Sequence, residues 1–197
     1  MQDVSGLKKT PMFPLMLDLV RSGLSAMDGV VFTERQCCPY CGGPLLVHDY
    51  KDRKFATLLQ GSDQMDIMVS VRRFHCRSCH RLVTAEVPFY PDVHLGSPVV
   101  DLCIVLTHQL PYSQADRLIR DLGVVLHRGT IRNYATLPIM PAVTDNLFGI
   151  TFPRSLLNLS SLAAARSAGE PITGEDALAA CMSVDLSNQE VIRSLSK

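Results

Sequence analysis

The chain has 197 residues, 47 % of them hydrophobic, and its 19 basic residues balance 19 acidic residues to a formal net charge of zero. This length suits one or two globular domains. Because the charges balance, overall charge alone cannot attract the chain to a polyanion such as a nucleic acid. No run of 18 apolar residues is present, which excludes a membrane-spanning helix of the usual length.

An apolar stretch, Phe13–Val20, dominates the N-terminal segment (residues 1–36). It predicts a short helix that starts after Pro14 and ends near Gly23, since proline suits a first helical turn and glycine ends helices. The pair Asp28-Gly29 predicts a turn after that helix. We expect the segment to pack against the domain that follows it.

Two Cys-x-x-Cys pairs, Cys38–Cys41 and Cys76–Cys79, form the most specific motif of the chain. Two such pairs supply the four thiolates of a tetrahedral structural zinc site, because the tight turn within each pair points both sulfurs at one ion. The sequence therefore predicts one structural Zn²⁺ per chain. The predicted ligands are Cys38, Cys41, Cys76 and Cys79.

Other ligand sets and a disulfide framework are the alternatives. Cys37 is next to the first pair, and His75 and His80 flank the second, so each can replace a cysteine ligand. Disulfides require an oxidising compartment, but the N-terminus lacks the apolar core of a signal peptide, and Cys37, Cys103 and Cys181 are an odd set. We therefore expect a cytoplasmic protein of a prokaryotic cell, with association with the nucleoid as one option.

The segment between and after the cysteine pairs is rich in predicted strands. Strands are predicted at 45–50 and 55–59, with a turn at the charged Asp52-Arg53-Lys54 between them. In the next strand, Ile67, Val69 and Val71 alternate and so share one face, and a last strand is predicted at 82–87. Together these elements predict a small, metal-stapled β zinc ribbon at residues 37–92, which has too few large apolar residues to fold without its ion.

Helical patterns begin at Ser97, a predicted N-cap with Pro98 at the first helical position. This first helix runs to Leu110. In the second helix, Ser113–Asp116 resembles a capping box, and Asp116, Arg117, Arg120 and Asp121 are expected to face water. Its apolar stripe consists of Ala115, Leu118, Ile119 and Leu122.

A third helix is predicted at residues 128–137, after the stop signal Gly123. It is expected to bury Ile131 and Tyr134 and to present a polar face. Three short helices in this order predict a helix-turn-helix-like domain at residues 97–138, although a plain three-helix core with a polar outer face is the structural alternative. The turn before the third helix is longer than the tightest form.

The remaining residues, 139–197, are predicted to be a linker followed by short C-terminal helices. Pro138, Pro141 and Pro153 mark a loop-rich connector. Helices are expected at 155–168 and 175–182. The whole chain is therefore predicted to be α+β.

Residues 36–136 resemble the N-terminal region of prokaryotic insertion-sequence transposases. Each Cys-x-x-Cys turn is called a knuckle here, Cys38–Cys41 the first and Cys76–Cys79 the second. The order of parts is the same as in that family: knuckle, hairpin, knuckle, short extended segment and helix-turn-helix. In that family a Thr-Ile-Arg-aromatic stretch belongs to the recognition helix. The stretches that carry the resemblance are Cys38-Pro39-Tyr40-Cys41-Gly42, Phe74-His75-Cys76-Arg77-Ser78-Cys79-His80-Arg81, Tyr112-Ser113-Gln114-Ala115, Leu122-Gly123-Val124 and Gly129-Thr130-Ile131-Arg132-Asn133-Tyr134.

The resemblance implies DNA binding but not strand transfer. Transposases of this type continue into a ribonuclease-H-like domain with three acidic residues that hold two metal ions. About sixty residues follow the third helix, fewer than such a domain needs. Asp185, which follows Met182-Ser183-Val184, stands where the first of these acids would lie. There are no candidates for the other two. We therefore expect the catalytic domain to be absent and the protein not to be an enzyme.

The leading hypothesis is a zinc-dependent, non-enzymatic DNA-binding protein, either a transposase-like targeting region or a regulator derived from one. Eight arginines against five acids between Arg72 and Arg132 permit this. DNA is the expected partner, a homodimer or a larger nucleoprotein complex is also considered, and no small-molecule substrate is expected. The predicted DNA contacts are Arg128, Thr130, Arg132 and Asn133 on the third helix, and Arg72, Arg73, Arg77 and Arg81 around the second knuckle.

Two hypotheses from other classes compete. A zinc ribbon can serve as a protein-interaction module that docks on a nucleoprotein complex, with the apolar N-terminal segment and the leucine-rich residues 156–162 as a partner surface in place of core. An enzyme is disfavoured because a four-thiolate zinc leaves no open coordination position for water. The chain also has no recognisable Ser-His-Asp set, phosphate-binding glycine loop or His-Glu-x-x-His motif.

Overall fold

The computed structural model describes residues 12–139, 142–166 and 170–182. Within them the chain has both helices and strands, which confirms the predicted α+β class. None of these helices combines the length and the apolar character needed to cross a membrane. The helices are α1 (Met12–Ser25), α2 (Ser97–Gln109), α3 (Tyr112–Asp121), α4 (Arg128–Ala135), α5 (Arg154–Ala165) and α6 (Gly174–Cys181); the strands are β1 (Val31–Phe32), β2 (Leu45–Gln60), β3 (Asp63–Cys76), β4 (Leu82–Thr84), β5 (Thr144–Leu147) and β6 (Ile150–Pro153).

A long antiparallel hairpin, β2–β3, is the central element of the fold. β2 pairs with β3 from Leu45↔Cys76 at one end to Gln60↔Asp63 at the other. Two short strands share the second edge of β3: β1 runs parallel to it, and β4 runs antiparallel to it near the second cysteine pair. The four cysteines therefore lie at the open end of the hairpin, and its turn lies at the far end.

The turn predicted at Asp52-Arg53-Lys54 is wrong, because β2 continues through these residues and the chain reverses after Gln60. Two of these three charged side chains, Arg53 and Lys54, have partners outside β2. Lys54 Nζ lies 2.6 Å from a carboxylate oxygen of Asp66, and the guanidinium of Arg53 lies 3.7 Å from the centre of the Phe89 ring. Because these partners are distant in the sequence, the charge run alone resembles a turn.

Along β3, the buried positions switch from odd-numbered to even-numbered residues. Ile67, Val69 and Val71 are buried as predicted, but nearer to the cysteines it is Phe74 and Cys76 that are buried. The register shifts in β2 between Val47 and Asp49, and such bulges increase the local twist of a hairpin. The two halves of the hairpin therefore turn different faces towards the core.

Helices α1 and α5, which are far apart in the sequence, pack on each other. Val20 and Leu24 of α1 and Leu156 and Leu159 of α5 are fully buried. The backbones approach closely at Gly23, where an added Cβ would lie 2.9 Å from the backbone nitrogen of Ser160. The leucine-rich stretch and the N-terminal helix thus contribute to the core, and the alternative that they form a partner surface is wrong for these side chains.

Helices α2, α3 and α4 occur where the sequence predicts them, but two of the predicted caps are wrong. The N-cap of α2 is Gly96, and Ser97 is its first helical residue. The N-cap of α3 is Pro111, with no side-chain cap. Asp116, predicted to complete a capping box and also to face water, is 9 % exposed. The apolar stripe of α3 is buried as predicted.

The segment predicted to be a linker contains a hairpin, β5–β6. Its turn is Phe148-Gly149, and both residues have a positive φ. Gln109, at the end of α2, binds the backbone of Thr151 twice, donating from Nε2 to the carbonyl (2.9 Å) and accepting from the N–H at Oε1 (2.8 Å). Phe152 is fully buried. Asp185, predicted to stand where the first acid of a catalytic domain would lie, is outside the described residues.

Candidate metal centre and nucleic-acid interface

The two cysteine knuckles have the same backbone turn. The N–H of Gly42 donates to the carbonyl of Cys38 (2.9 Å), and the N–H of His80 donates to the carbonyl of Cys76 (3.0 Å). Both donors have a left-handed backbone, with φ of 70° at Gly42 and 57° at His80. Glycine adopts this conformation readily, whereas His80 adopts it despite its Cβ. The second knuckle thus repeats the backbone turn of the first, but with a histidine where the left-handed conformation favours glycine.

A second set of backbone bonds closes each knuckle and joins the two. Cys38 N–H donates to the carbonyl of Gly43 (3.1 Å), and Cys76 N–H donates to that of Arg81 (2.9 Å). Between the knuckles, Arg77 N–H donates to the carbonyl of Pro44 (3.1 Å). Gly43 lies so close to Ser78 that a Cβ there would overlap its side chain. The cysteine turns are therefore fixed by the backbone as well as by any metal.

The four predicted ligands come together. Cys38 Sγ lies 3.6 Å from Cys79 Sγ, and Cys41 Sγ lies 3.5 Å from Cys76 Sγ. All four sulfurs are within 4.8 Å of one another. A tetrahedral zinc with bonds of about 2.3 Å places its sulfurs roughly 3.8 Å apart, so the cluster fits one ion. Cys38, Cys41, Cys76 and Cys79 are positioned to bind one Zn²⁺.

The proton affinities of these thiols are unequal. Hydrogen bonds from the backbone, chiefly the N–H of Cys79, lower the pKa of Cys76 to about 6. At Cys41 the backbone N–H of Gly43 lowers the pKa, but the neighbouring thiols and burial outweigh it and raise the pKa to about 12. A thiolate must form at every ligand when zinc binds, so metal binding releases the proton that Cys41 holds.

The alternative ligands lie outside this cluster. Cys37 is exposed, and His75 and His80 are paired with each other, with ring centres 5.8 Å apart. Neither histidine belongs to the group of side chains that can share an ion in the described part of the chain. The four-cysteine set is therefore the arrangement that the structure supports.

The four arginines predicted around the second knuckle have different surroundings. Arg77 is exposed, and the guanidinium of Arg81 lies 4.5 Å from the centre of the exposed Tyr40 ring. Arg72 is half-buried and donates to the hydroxyl of Tyr50 from Nε (2.8 Å) and Nη2 (2.5 Å).

Arg73 differs from the other three because it makes two hydrogen bonds with the carboxylate of Asp49. These bonds lower the pKa of Asp49, which is therefore charged at neutral pH. Arg73 is largely neutralised by this pair. Arg77 and Arg81 keep exposed positive charge near the metal site, and Arg72 adds a charge that no carboxylate neutralises among its described hydrogen bonds.

Helix α4 has the polar face that the sequence predicts. Ile131 and Tyr134 are buried, while Arg128, Arg132 and Asn133 are exposed and Thr130 is half-buried. The helix begins with a cap that sequence reasoning missed, since His127 Nδ1 accepts a hydrogen bond from the N–H of Gly129 (3.2 Å). Histidine is not a preferred N-cap residue, so no strong signal marked it.

Tyr112 of α3 holds the start of α4 and one of its exposed arginines in place. Its hydroxyl donates to the backbone carbonyl of Arg128. Its ring centre lies 5.6 Å from the guanidinium carbon of Arg132, within the range of a cation–π contact. The side chain of Arg128 points elsewhere, towards the carboxylate of Asp116 on α3 (3.6 Å).

The turn between α3 and α4 is attached to the edge of β2, far from the cysteines. Leu59 N–H donates to the carbonyl of Gly123, and Val125 N–H donates to that of Thr57, both at 2.8 Å. Leu58, at this attachment, and Leu45, beside the metal site, are thirteen residues apart on one strand. At about 3.3 Å per residue the two ends are roughly 40 Å apart. The arginines around the second knuckle therefore lie towards the metal end of the hairpin, and the turn that leads into α4 is attached near its other end.

Residues 34–79 match a protein family described as the zinc-finger of transposase IS204/IS1001/IS1096/IS1165. The match spans both knuckles and the whole β2–β3 hairpin, and it confirms the resemblance to transposases for this part of the chain. No curated protein and no solved structure gives a significant match to the chain.

Proposed function

We propose that this protein is a zinc-dependent, non-enzymatic DNA-binding protein that acts as a transposase-like targeting region or as a regulator derived from one. The observation that carries the proposal is the attachment of the α3–α4 turn to the same hairpin that matches the transposase zinc-finger. A metal-binding element known from DNA-moving proteins thus carries, at its far end, a helix with an exposed Arg and Asn face.

In this proposal α3 and α4 are the two helices of a helix-turn-helix, and α4 is the recognition helix. The side chains Arg132 and Asn133 are exposed on it, and Arg and Asn are suited to hydrogen bonds with base edges in a major groove. Tyr112 supports Arg132 from α3. Thr130 is half-buried, so it contributes a contact only at the margin of that face.

The zinc end supplies phosphate contacts in the same proposal. Arg77 and Arg81 bear exposed charge there and half-buried Arg72 adds to it, and phosphate contacts fix position without reading sequence. Along the hairpin, roughly 40 Å separates the metal end from the attachment of the turn that leads into α4, a length comparable with one helical turn of B-DNA, about 34–36 Å. One duplex of about 20 base pairs is therefore long enough to contact both ends of the hairpin.

The zinc is structural in this account. Four thiolates complete the tetrahedral coordination of the ion and leave no position for a substrate or an activated water. Its role is to hold Cys38–Cys41 and Cys76–Cys79 together, and with them the two strand ends that carry the ribbon arginines. DNA binding then depends on the metal through the fold.

Cytoplasmic location follows from the proposed DNA partner.

A titration of a fluorescent 20-base-pair duplex at several salt concentrations tests the proposal. Because each neutralised phosphate releases counterions, the affinity of a DNA-binding protein falls steeply with salt, with a logarithmic slope of about −0.9 per phosphate. We expect a slope of about −3 or steeper, since Arg72, Arg77 and Arg81 each neutralise about one phosphate. Binding that is absent at low salt would contradict the proposal.

A protein-interaction module is the second candidate, and one observation favours it. Leu46, His75 and Leu82 are paired across three strands beside the knuckles, and Leu46 and Leu82 are 43 % and 45 % exposed. Two exposed leucines on either side of a histidine in one row suit a partner protein in a nucleoprotein complex or a second copy of the chain. Such an interface would respond little to salt, so the same titration separates the two candidates.

A further inference from the structure

A shallow depression lies between α3 and the start of α4, on the outer surface of the helices. Its volume is about 340 Å³. The residues from α3 recur at spacings of three and four, which places them on one helix face, and the last is the first residue of α4. The lining consists of Ser113, Asp116, Arg117, Arg120 and Arg128.

Asp116 is the buried residue of this cluster, and it pairs with two of its arginines. Its side chain is only 11 % exposed, and its Oδ2 lies 3.3 Å from Arg120 Nη2 and 3.6 Å from Arg128 Nε. Its other oxygen, Oδ1, is buried and has no hydrogen-bond partner among the described residues. A buried carboxylate requires nearby positive charge, so Asp116 holds the two guanidiniums side by side.

The arginines keep most of their hydrogen-bonding capacity. The side chains of Arg120 and Arg128 are 68 % and 63 % exposed, and each guanidinium has five N–H donors. Arg117 is also exposed and adds a third positive charge against the single negative charge of Asp116. The depression therefore attracts an anion, and the planar guanidinium fork matches the oxygens of a phosphate.

We infer that this depression binds one phosphate of the DNA backbone, an inference that rests on the proposed function. Arg117, Arg120 and Arg128 contact the phosphate oxygens, and the hydroxyl of Ser113 donates to them. Asp116 is a positioning residue, which orients Arg120 and Arg128 without contacting the phosphate. Arg128 is thereby a phosphate contact, and reading of the bases is left to Arg132 and Asn133.

The double variant Arg117→Gln/Arg120→Gln tests the inference by fluorescence anisotropy with 20-base-pair duplexes of two different sequences. Loss of one phosphate contact should make the salt dependence shallower, by about 1 in the logarithmic slope. The ratio of the affinities for the two duplexes should stay unchanged, because phosphate contacts carry no sequence information. The charge-retaining variant Arg117→Lys/Arg120→Lys should keep the slope within about 0.5 of the wild-type value.

A matched control is Arg166→Gln, which removes an arginine that pairs with Asp176 on α6 and should leave the slope unchanged. Circular dichroism and zinc content show whether each variant is folded. A folded Arg117→Gln/Arg120→Gln protein with the wild-type slope would overturn the inference and leave the proposed function standing. A wild-type protein that binds neither duplex at low salt would overturn both.

Discussion

Gly96 lies against the ring of Phe55, and its N–H donates to the backbone carbonyl of the same residue (2.9 Å). A Cβ at position 96 would overlap three atoms of that ring. Phe55 is fully buried on β2, and Gly96 is the N-cap of α2. This contact therefore joins the hairpin of the zinc ribbon to the first of the three helices.

Gly96→Ala should destabilise the protein because the new methyl group must displace Phe55 or the start of α2. Overpacking of this kind costs about 1–3 kcal/mol. Urea denaturation followed by circular dichroism measures the loss. Gly129→Ala is the control: there an added Cβ meets only the side chain of His127, at 3.3 Å, and alanine favours the helix. That change should alter stability by at most about 1 kcal/mol. Equal effects at the two positions would contradict the account.

The ligand set can be tested with two cysteine variants. Cys41→Ser removes a sulfur from the four-cysteine cluster and should abolish stoichiometric zinc binding, because a structural site needs all four ligands. Cys37→Ser changes an exposed neighbour of the cluster and should retain one zinc per chain. Native mass spectrometry gives the stoichiometry of both. Loss of the metal in Cys37→Ser with retention in Cys41→Ser would show that Cys37 is the ligand.

The buried carboxyl of Asp101 predicts a pH dependence. It accepts hydrogen bonds from Tyr90 Oη (2.6 Å) and Ser155 Oγ (3.0 Å), but burial outweighs them and raises its pKa. Because the folded-state pKa lies above the unfolded value, ionised Asp101 opposes folding; this cost is absent below the unfolded pKa and grows as pH rises to the folded-state pKa. An asparagine side chain in the same place does not ionise and so carries no such cost.

Asp101→Asn should therefore become more stable relative to wild type as pH rises from about 4, the unfolded pKa of aspartate, towards neutrality. Urea denaturation of both proteins across this range measures the difference in free energy of unfolding. The opposite trend would mean that the hydrogen bonds from Tyr90 and Ser155 dominate and hold the pKa down.

The double change Arg132→Ala/Asn133→Ala tests α4 as the recognition helix. Both side chains are exposed, so the fold and the zinc content should be unaffected, while DNA affinity should fall by about tenfold or more, since base contacts contribute about 1–3 kcal/mol each. The double change Arg73→Ala/Asp49→Ala is a useful comparison, because it removes a pair of opposite charges, leaves the net charge unchanged and should cost little DNA affinity. Unchanged affinity in the α4 double variant would exclude α4 as the reading element.

Local patterns in the sequence predicted much of this fold. The spacing of the cysteine pairs predicted the metal cluster because a knuckle is a local turn. The alternation of Ile67, Val69 and Val71 and the helical stripe that ends at Leu122 predicted buried faces. The periodicity of the third helix also placed Ile131 and Tyr134 inside the core.

Features that depend on distant partners were missed. Lys54 lies in a strand because β2 pairs with β3 there, opposite Met68, and its ion-pair partner is Asp66 on β3. Asp116 has a local partner in Arg120 but also pairs with Arg128 in the next helix. The β5–β6 hairpin is anchored to Gln109, 42 residues before Thr151. In each case the decisive contact joins residues that no local window contains, so composition and periodicity cannot show it.

Removal and return of the metal test the central claim most directly. The zinc content of the purified protein is measured, and its affinity for a 20-base-pair duplex is determined at low salt before chelation, after chelation and after zinc is added back. We predict one zinc per chain, duplex binding that is lost with the metal and binding that returns with it. A protein that holds one zinc but binds the duplex equally well without it would contradict the account.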